Sequence, residues 1–269
     1  MSALKPFGCL ILVLIFAATA VADEDIFKVG LDALKKKDYR FAIACFNDVL
    51  AKDPKNSQAF YYRGLAQNGK GFIESAMKNF DEAIRLNPKF KEALVTRGNL
   101  YVEQDEYDKA IQDHTQAIKL DPEYALANIS RGSSYGRMKN YRAVEDFNSA
   151  IQLSPRDPRP YIERGNAYLD GGKLEKGIQD LSQGIRMNYW QDLTLYEWRA
   201  GAYAKKGDYD KAIEDYNQII LLDPKNYNAY FNRSIVFGEK GESQRAMEDW
   251  MKGMEMQMFH WKDKVKPAK

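Results

Sequence analysis

The chain is short of the residues on which most active sites depend. Its 269 residues include two histidines and two cysteines. His114 and His260 stand far apart without metal-ligand spacing. No zinc pattern, phosphate-cradling glycine loop, Gly-x-Ser-x-Gly elbow or nucleophile–base arrangement occurs. Gly69-Lys70-Gly71 sits at a turn position and His114 in a core column, so neither reads as chemistry. No catalytic, metal-ligating or cofactor-binding residue is assigned, and a non-enzymatic protein is expected. An excess of one charge is also missing. The 40 basic and 38 acidic side chains leave a net charge of +2 with no concentrated basic stripe, which argues against nucleic acid as a partner. Long apolar runs are missing too. The uncharged stretch after Pro6 is sixteen residues, below the ~18–20 that span a bilayer comfortably.

That stretch reads as a signal peptide. Lys5 precedes an apolar core from Phe7 to Ala18, and Ala20-Val21-Ala22 gives a small-x-small cleavage site before Asp23. The chain is therefore expected to be exported, periplasmic or secreted; the alternative is an uncleaved N-terminal membrane anchor. Cys9 lies ahead of the apolar core and would leave with the signal. Cys45 then stands alone, so no intramolecular disulfide forms, and it reads as a small buried apolar residue.

What the chain does have is a period. Arg63, Arg97, Arg131, Arg164, Arg199 and Arg233 recur at spacings of 34, 34, 33, 35 and 34. A small residue follows each: Gly64, Gly98, Gly132, Gly165, Ala200 and Ser234, with Gly30 in the first unit. A second small column reads Ala42, Ala76, Ala110, Ala143, Gly177, Ala212 and Ala246. An aromatic-leaning column reads Phe46, Phe80, His114, Phe147, Leu181, Tyr216 and Trp250. Proline closes five units, at 54, 88, 122, 155 and 224. Apolar residues three and four apart make a helical stripe, small residues let two helices approach, and proline ends the second helix. A fixed period of this length marks a solenoid, whose units bury their apolar faces against their neighbours.

The columns resemble the tetratricopeptide repeat (TPR). The resemblance implies an all-α, right-handed superhelical solenoid of about seven helical hairpins. Residues 1–22 form the signal, and the repeats are 23–56, 57–90, 91–124, 125–157, 158–192, 193–226 and 227–260; a basic tail of 261–269 follows. The period slips twice. One residue is missing after Tyr141, and one extra lies near Asn188-Tyr189-Trp190, where the closing proline is absent. With Gly177 and Gly184 in its small columns, the fifth hairpin is expected to be looser than its neighbours.

Each arginine has a partner in register. Sixteen residues on come Asn79, Asp113, Asp180, Asp215 and Asp249, while Arg131 meets Asp146 at fifteen, one short because of the deletion. The first unit has Val29 and Cys45 at these places. The in-register counterions favour a ladder of structural ion pairs within each hairpin over a row of arginines gripping an anion.

The resemblance also implies an inner groove lined by the first helix of each hairpin. It assigns Phe27, Tyr61, Leu65, Asn99, Glu103, Arg137, Asn166, Asp170, Trp198 and Phe231 to partner binding, with Ile162 among further inner positions. Aromatic anchors, amides and both charge signs suit an extended peptide or a partner helix. The lysine that a chaperone-tail clamp uses at the fifth column is absent; that column reads Phe27, Tyr61, Val95, Ile129, Ile162, Glu197 and Phe231. A second candidate is the last helix, where Met247, Trp250, Met251, Met254, Met258 and Trp261 share a face. The first four are expected to pack on the preceding helix. Met258, Phe259 and Trp261 run beyond the repeat as a possible homodimer or docking interface. The signal and array together resemble bacterial cell-envelope adaptors, which implies a protein–protein scaffold. The alternative is a glycan- or peptidoglycan-binding module using Tyr61, Tyr62 and Trp198.

Overall fold

The computed structural model describes residues 26–189 and 192–264, with the side chains of 188–189 and 259–264 outside the description. The signal segment, the cleavage point before Asp23, Trp190 and the side chains of Tyr189, Phe259 and Trp261 therefore lie outside the described structure. Among the described residues all regular structure is helical. The chain is an all-α solenoid of seven hairpins.

The first hairpin joins α1, residues 26–35, to α2, Tyr39–Lys52. The second and third join α3 (Ser57–Gly69) to α4 (Ile73–Leu86) and α5 (Lys91–Glu103) to α6 (Tyr107–Leu120). The fourth and fifth join α7 (Ala125–Arg137) to α8 (Arg142–Leu153) and α9 (Arg159–Asp170) to α10 (Leu174–Gly184). The last two join α11 (Leu193–Lys206) to α12 (Tyr209–Leu222) and α13 (Tyr227–Glu239) to α14 (Ser243–Lys264). No described helix is long and apolar enough to cross a membrane. The backbone forms two compact units, one ending at Ser130 and the other starting at Arg131.

The columns explain the hairpins. In each of the first four, the small residue of the first helix faces the large residue of the second. A Cβ added at Gly64 would stand 2.7 Å from the Phe80 ring, and one at Gly98 would stand 2.5 Å from His114. Phe46, Phe80 and His114 are fully buried in this role, as is Leu181 opposite Gly165 in the fifth hairpin. Asp53, Asn87, Asp121, Ser154 and Asp223 are the C-caps of five second helices, each directly before its proline. The turn within each hairpin carries one left-handed residue, at 37, 71, 105, 139, 172, 207 and 241, so the turns keep the period of the arginines.

Both slips are taken up locally. The deletion after Tyr141 shortens α8 to 12 residues, against 14 in α2, α4, α6 and α12. The extra residue is absorbed by a π-helical turn over Ile185–Tyr189, directly after α10. The fifth hairpin is not built loosely, contrary to expectation. A Cβ at Gly177 would lie 2.3 Å from Leu169, and one at Gly184 would lie 2.7 Å from Ile162. Its glycines are sites of close approach, filled by neighbouring side chains. Helix α14 also continues to Lys264, into the segment expected to be tail.

Candidate protein-binding surfaces

The arginine column is structural and does more than pair within its own hairpin. Arg97 donates from Nε and Nη2 to both carboxylate oxygens of Asp113, at 2.8 and 2.7 Å. Its Nη1 donates at 2.7 Å to Asp81 of the preceding hairpin. Arg164 repeats the arrangement with Asp180 at 2.7 and 2.8 Å and Asn148 at 2.6 Å. Arg199 grips Asp215 and reaches back to Ser182, while Arg233 grips Asp249 and reaches back to Asn217. Each of these four guanidiniums thus rivets two second helices. The backward contact was missed in the sequence, although its signal was there: polar Asn47, Asp81, Asn148, Ser182 and Asn217 stand sixteen or seventeen residues before an arginine. Burial opposes the charge of Arg97, but Asp113 and Asp81 outweigh it and hold the guanidinium well above its usual range. Arg63 differs. Its partners are the amides Asn79 and Asn47, at 2.9 and 2.7 Å, and burial lowers its pKa.

In the unit ending at Ser130, the first-helix face is filled by the chain itself. Phe27 is half-buried, edge-on to Phe46 at 5.6 Å and Tyr62 at 5.7 Å. The Tyr61 ring meets Tyr62, Phe80 and Phe90 at 5.1, 5.9 and 4.9 Å. Its hydroxyl lies 3.3 Å from Thr96 Oγ1, whose own proton goes to the Glu92 carbonyl. Burial pushes the Tyr61 phenol up, and burial with Glu92 nearby pushes Tyr124 up to about 12. Lys91 pairs with Asp121 and lies over the Tyr124 ring. Leu65 is half-buried beside Phe80, whereas Asn99 and Glu103 are exposed.

The same face in the unit starting at Arg131 is more open. Arg137 and Asp170 are exposed and Asn166 is half-buried. Trp198 is 40% exposed and Ile235 59%. Gly136, Gly201 and Gly238 are helical glycines at which an added Cβ would meet nothing within 4 Å among the described residues. Asn232 donates to Glu197 at 3.1 Å across α11 and α13. Beneath them lies a cavity of about 20 Å³ bounded by Leu193, Tyr216 and Asn226, room for no more than a water. Two inner assignments point elsewhere. Ile162 is buried against Gly184, and half-buried Phe231 fills the space over Gly253, where a Cβ would come within 2.7 Å.

The last helix overturns one expectation. Met247, Trp250 and Met251 are not packed away against α13 but are 66%, 53% and 52% exposed, while Met254, the fourth, is half-buried; Met258 is 55% exposed. The opposite face of α14 makes that contact, through Asp249 to Arg233 and Gly253 to Phe231. His114 and Cys45 are buried, and burial, with Asp48 adding, raises the Cys45 thiol.

Helical hairpins of fixed period, joined through a recurring arginine, define a helical repeat protein. The chain belongs to the tetratricopeptide repeat family: TPR models match residues 27–89, 79–112, 98–139 and 201–241. It is similar to Tetratricopeptide repeat protein 6 of Homo sapiens, 30% identical over 112 residues, 40% of this chain and 21% of that protein. It is also similar to Hsp70-Hsp90 organizing protein 3 of Arabidopsis thaliana, 33% identical over 94 residues, 34% of this chain and 16% of that protein. Each match thus spans about a fifth or less of the curated relative. A solved tetratricopeptide repeat protein of Parabacteroides merdae superposes with a TM-score of 0.65 at 24% identity, over 87% of this chain and 93% of that one, a likeness of fold alone. TPR proteins generally mediate protein–protein interactions and are typically non-enzymatic.

Proposed function

We propose that the chain is an exported, non-enzymatic adaptor that holds an extended peptide or a helix of a partner protein on the first-helix face of residues 131–239. The observation that carries this is the set of glycines at 136, 201 and 238. Glycine within a helix costs about 1 kcal/mol relative to alanine, and among the described residues nothing needs the missing Cβ at these positions. A ligand backbone lying close to the helices does need it. Exposed Ile235 and Trp198 supply the apolar anchors beside that space. Although a relative is named for Hsp70 and Hsp90, the fifth column here has no lysine to hold a terminal carboxylate, which disfavours a chaperone-tail clamp. The sugar-stacking alternative is weakened because the Tyr61 and Tyr62 rings are engaged with each other. Export rests on Lys5, the apolar core and the Ala-x-Ala site. The outer face of α14 serves a different purpose, assembly with a second copy.

Crosslinked pull-down from intact cells tests the groove. Wild-type chain is expected to recover a protein partner, and Gly201→Leu to lose it with helicity unchanged. Retention on a glycan resin without a protein partner would replace this reading. Intact-mass analysis is expected to give an N-terminus at Asp23; a membrane-retained chain that keeps Phe7 would replace export with anchoring.

A further inference from the structure

We infer that the outer face of α14 is a self-association surface, closed by α14 of a second copy. Its apolar residues follow a heptad. Met247, Met251, Met254 and Met258 are spaced four, three and four, and the sequence continues the series at Trp261. A period of 3.5 keeps a stripe facing one partner helix along its whole length.

The stripe departs from the faces that earlier second helices present to the next hairpin. At the place where earlier second helices offer Asn47, Asp81, Asn148, Ser182 and Asn217 to the following arginine, α14 carries Met251. Trp250 occupies the column of Phe46, Phe80 and Tyr216, which are at most 5% exposed, yet is itself 53% exposed. Another hairpin of this type would present an arginine to a methionine.

Charge decides between a second copy joined end to end and one joined face to face. The outer side of α1 carries exposed Lys28 and Asp32 around Val29. Laid on the uncharged stripe it would bury those charges against methionine, which is strongly unfavourable. The stripe matches a copy of itself, the self-complementary arrangement of a two-fold dimer. Area is in keeping: Met247, Trp250, Met251 and Met258 are each more than half exposed, so two such faces supply the apolar centre of an interface of the roughly 1,200 Å² at which stable ones begin.

Sedimentation equilibrium on the full chain is the test. A dimer is expected at tens of micromolar, and Met251→Glu with Met254→Glu should weaken it at least about 100-fold. Circular dichroism and peptide capture should stay unchanged, which separates this surface from the groove. Met258→Ala, which adds no charge, should weaken the dimer less and serves if the double variant misfolds. A monomer over the same range overturns the proposal. So does a species that keeps growing with concentration, as end-to-end joining would give, or a dimer indifferent to all three substitutions.

Discussion

The two units share a repeat but not the character of their first-helix face. In residues 26–130 the aromatic positions of the first helices are covered by the chain itself: Tyr61 is held by three rings and Thr96, and Lys91 spans to Asp121 over Tyr124. From Arg131 onward the corresponding face has glycines over empty space and an exposed isoleucine. The hairpin architecture demands neither. Column positions facing the helix partner are dictated by packing, whereas those facing away are free to differ, and that freedom is where binding is written.

The comparison can be broken at the ladder. If the units differ only in their open face, rungs should be costly in both. Asp180→Ala leaves Arg164 only the amide of Asn148 and should lower stability by about 3–5 kcal/mol, and Asp113→Ala somewhat less, because Asp81 still pairs with Arg97. Urea unfolding followed by circular dichroism measures this. A much smaller loss for Asp180→Ala would mean that the second unit is weakly built throughout.

A smaller effect sharpens the contrast between two kinds of glycine. Gly177→Ala drives a methyl into Leu169 and should cost about 1–3 kcal/mol. Gly201→Ala meets nothing and should raise stability by up to about 1 kcal/mol. The difference in urea midpoints reads it directly. Loss of stability at Gly201→Ala would remove the argument that the open face is kept open for a ligand.

The smallest effect separates the aromatics. Tyr61→Phe forfeits the bond to Thr96 and should cost about 0.5–1.5 kcal/mol. Trp198→Ala should change the melting midpoint little, since an exposed surface substitution moves stability by about 0.5 kcal/mol or less. Its effect belongs on partner capture. A large stability loss at Trp198 would make it a packing residue.

Much of the fold was legible because periodicity is a long-range signal: arginine, small residue, aromatic and proline recur in fixed order, and the acid sixteen residues after Arg97 announces a contact between its two helices. The face was less legible. A column number says which way a residue leaves its helix, not what its neighbour does there. Ile162 and Phe231 hold groove columns but are drawn into gaps left by Gly184 and Gly253, far along the sequence. Helical spacing grouped the α14 methionines on one side, but it could not say which side α13 would take. That was settled by the Arg233–Asp249 pair and by Gly253.

An inserted residue in a long helix is a phase error: everything downstream turns by about 100° and stays turned. Here the error is discharged within one turn. The π segment at Ile185–Tyr189 takes in the surplus residue, and Arg199 then counts seventeen back to Ser182 where Arg164 counts sixteen to Asn148. The deletion before α8 is discharged in the same hairpin, where Arg131 counts fifteen to Asp146. Register is therefore kept hairpin by hairpin, not along the whole chain. A gene built from such units can gain or lose a codon and still spell the same joint on either side.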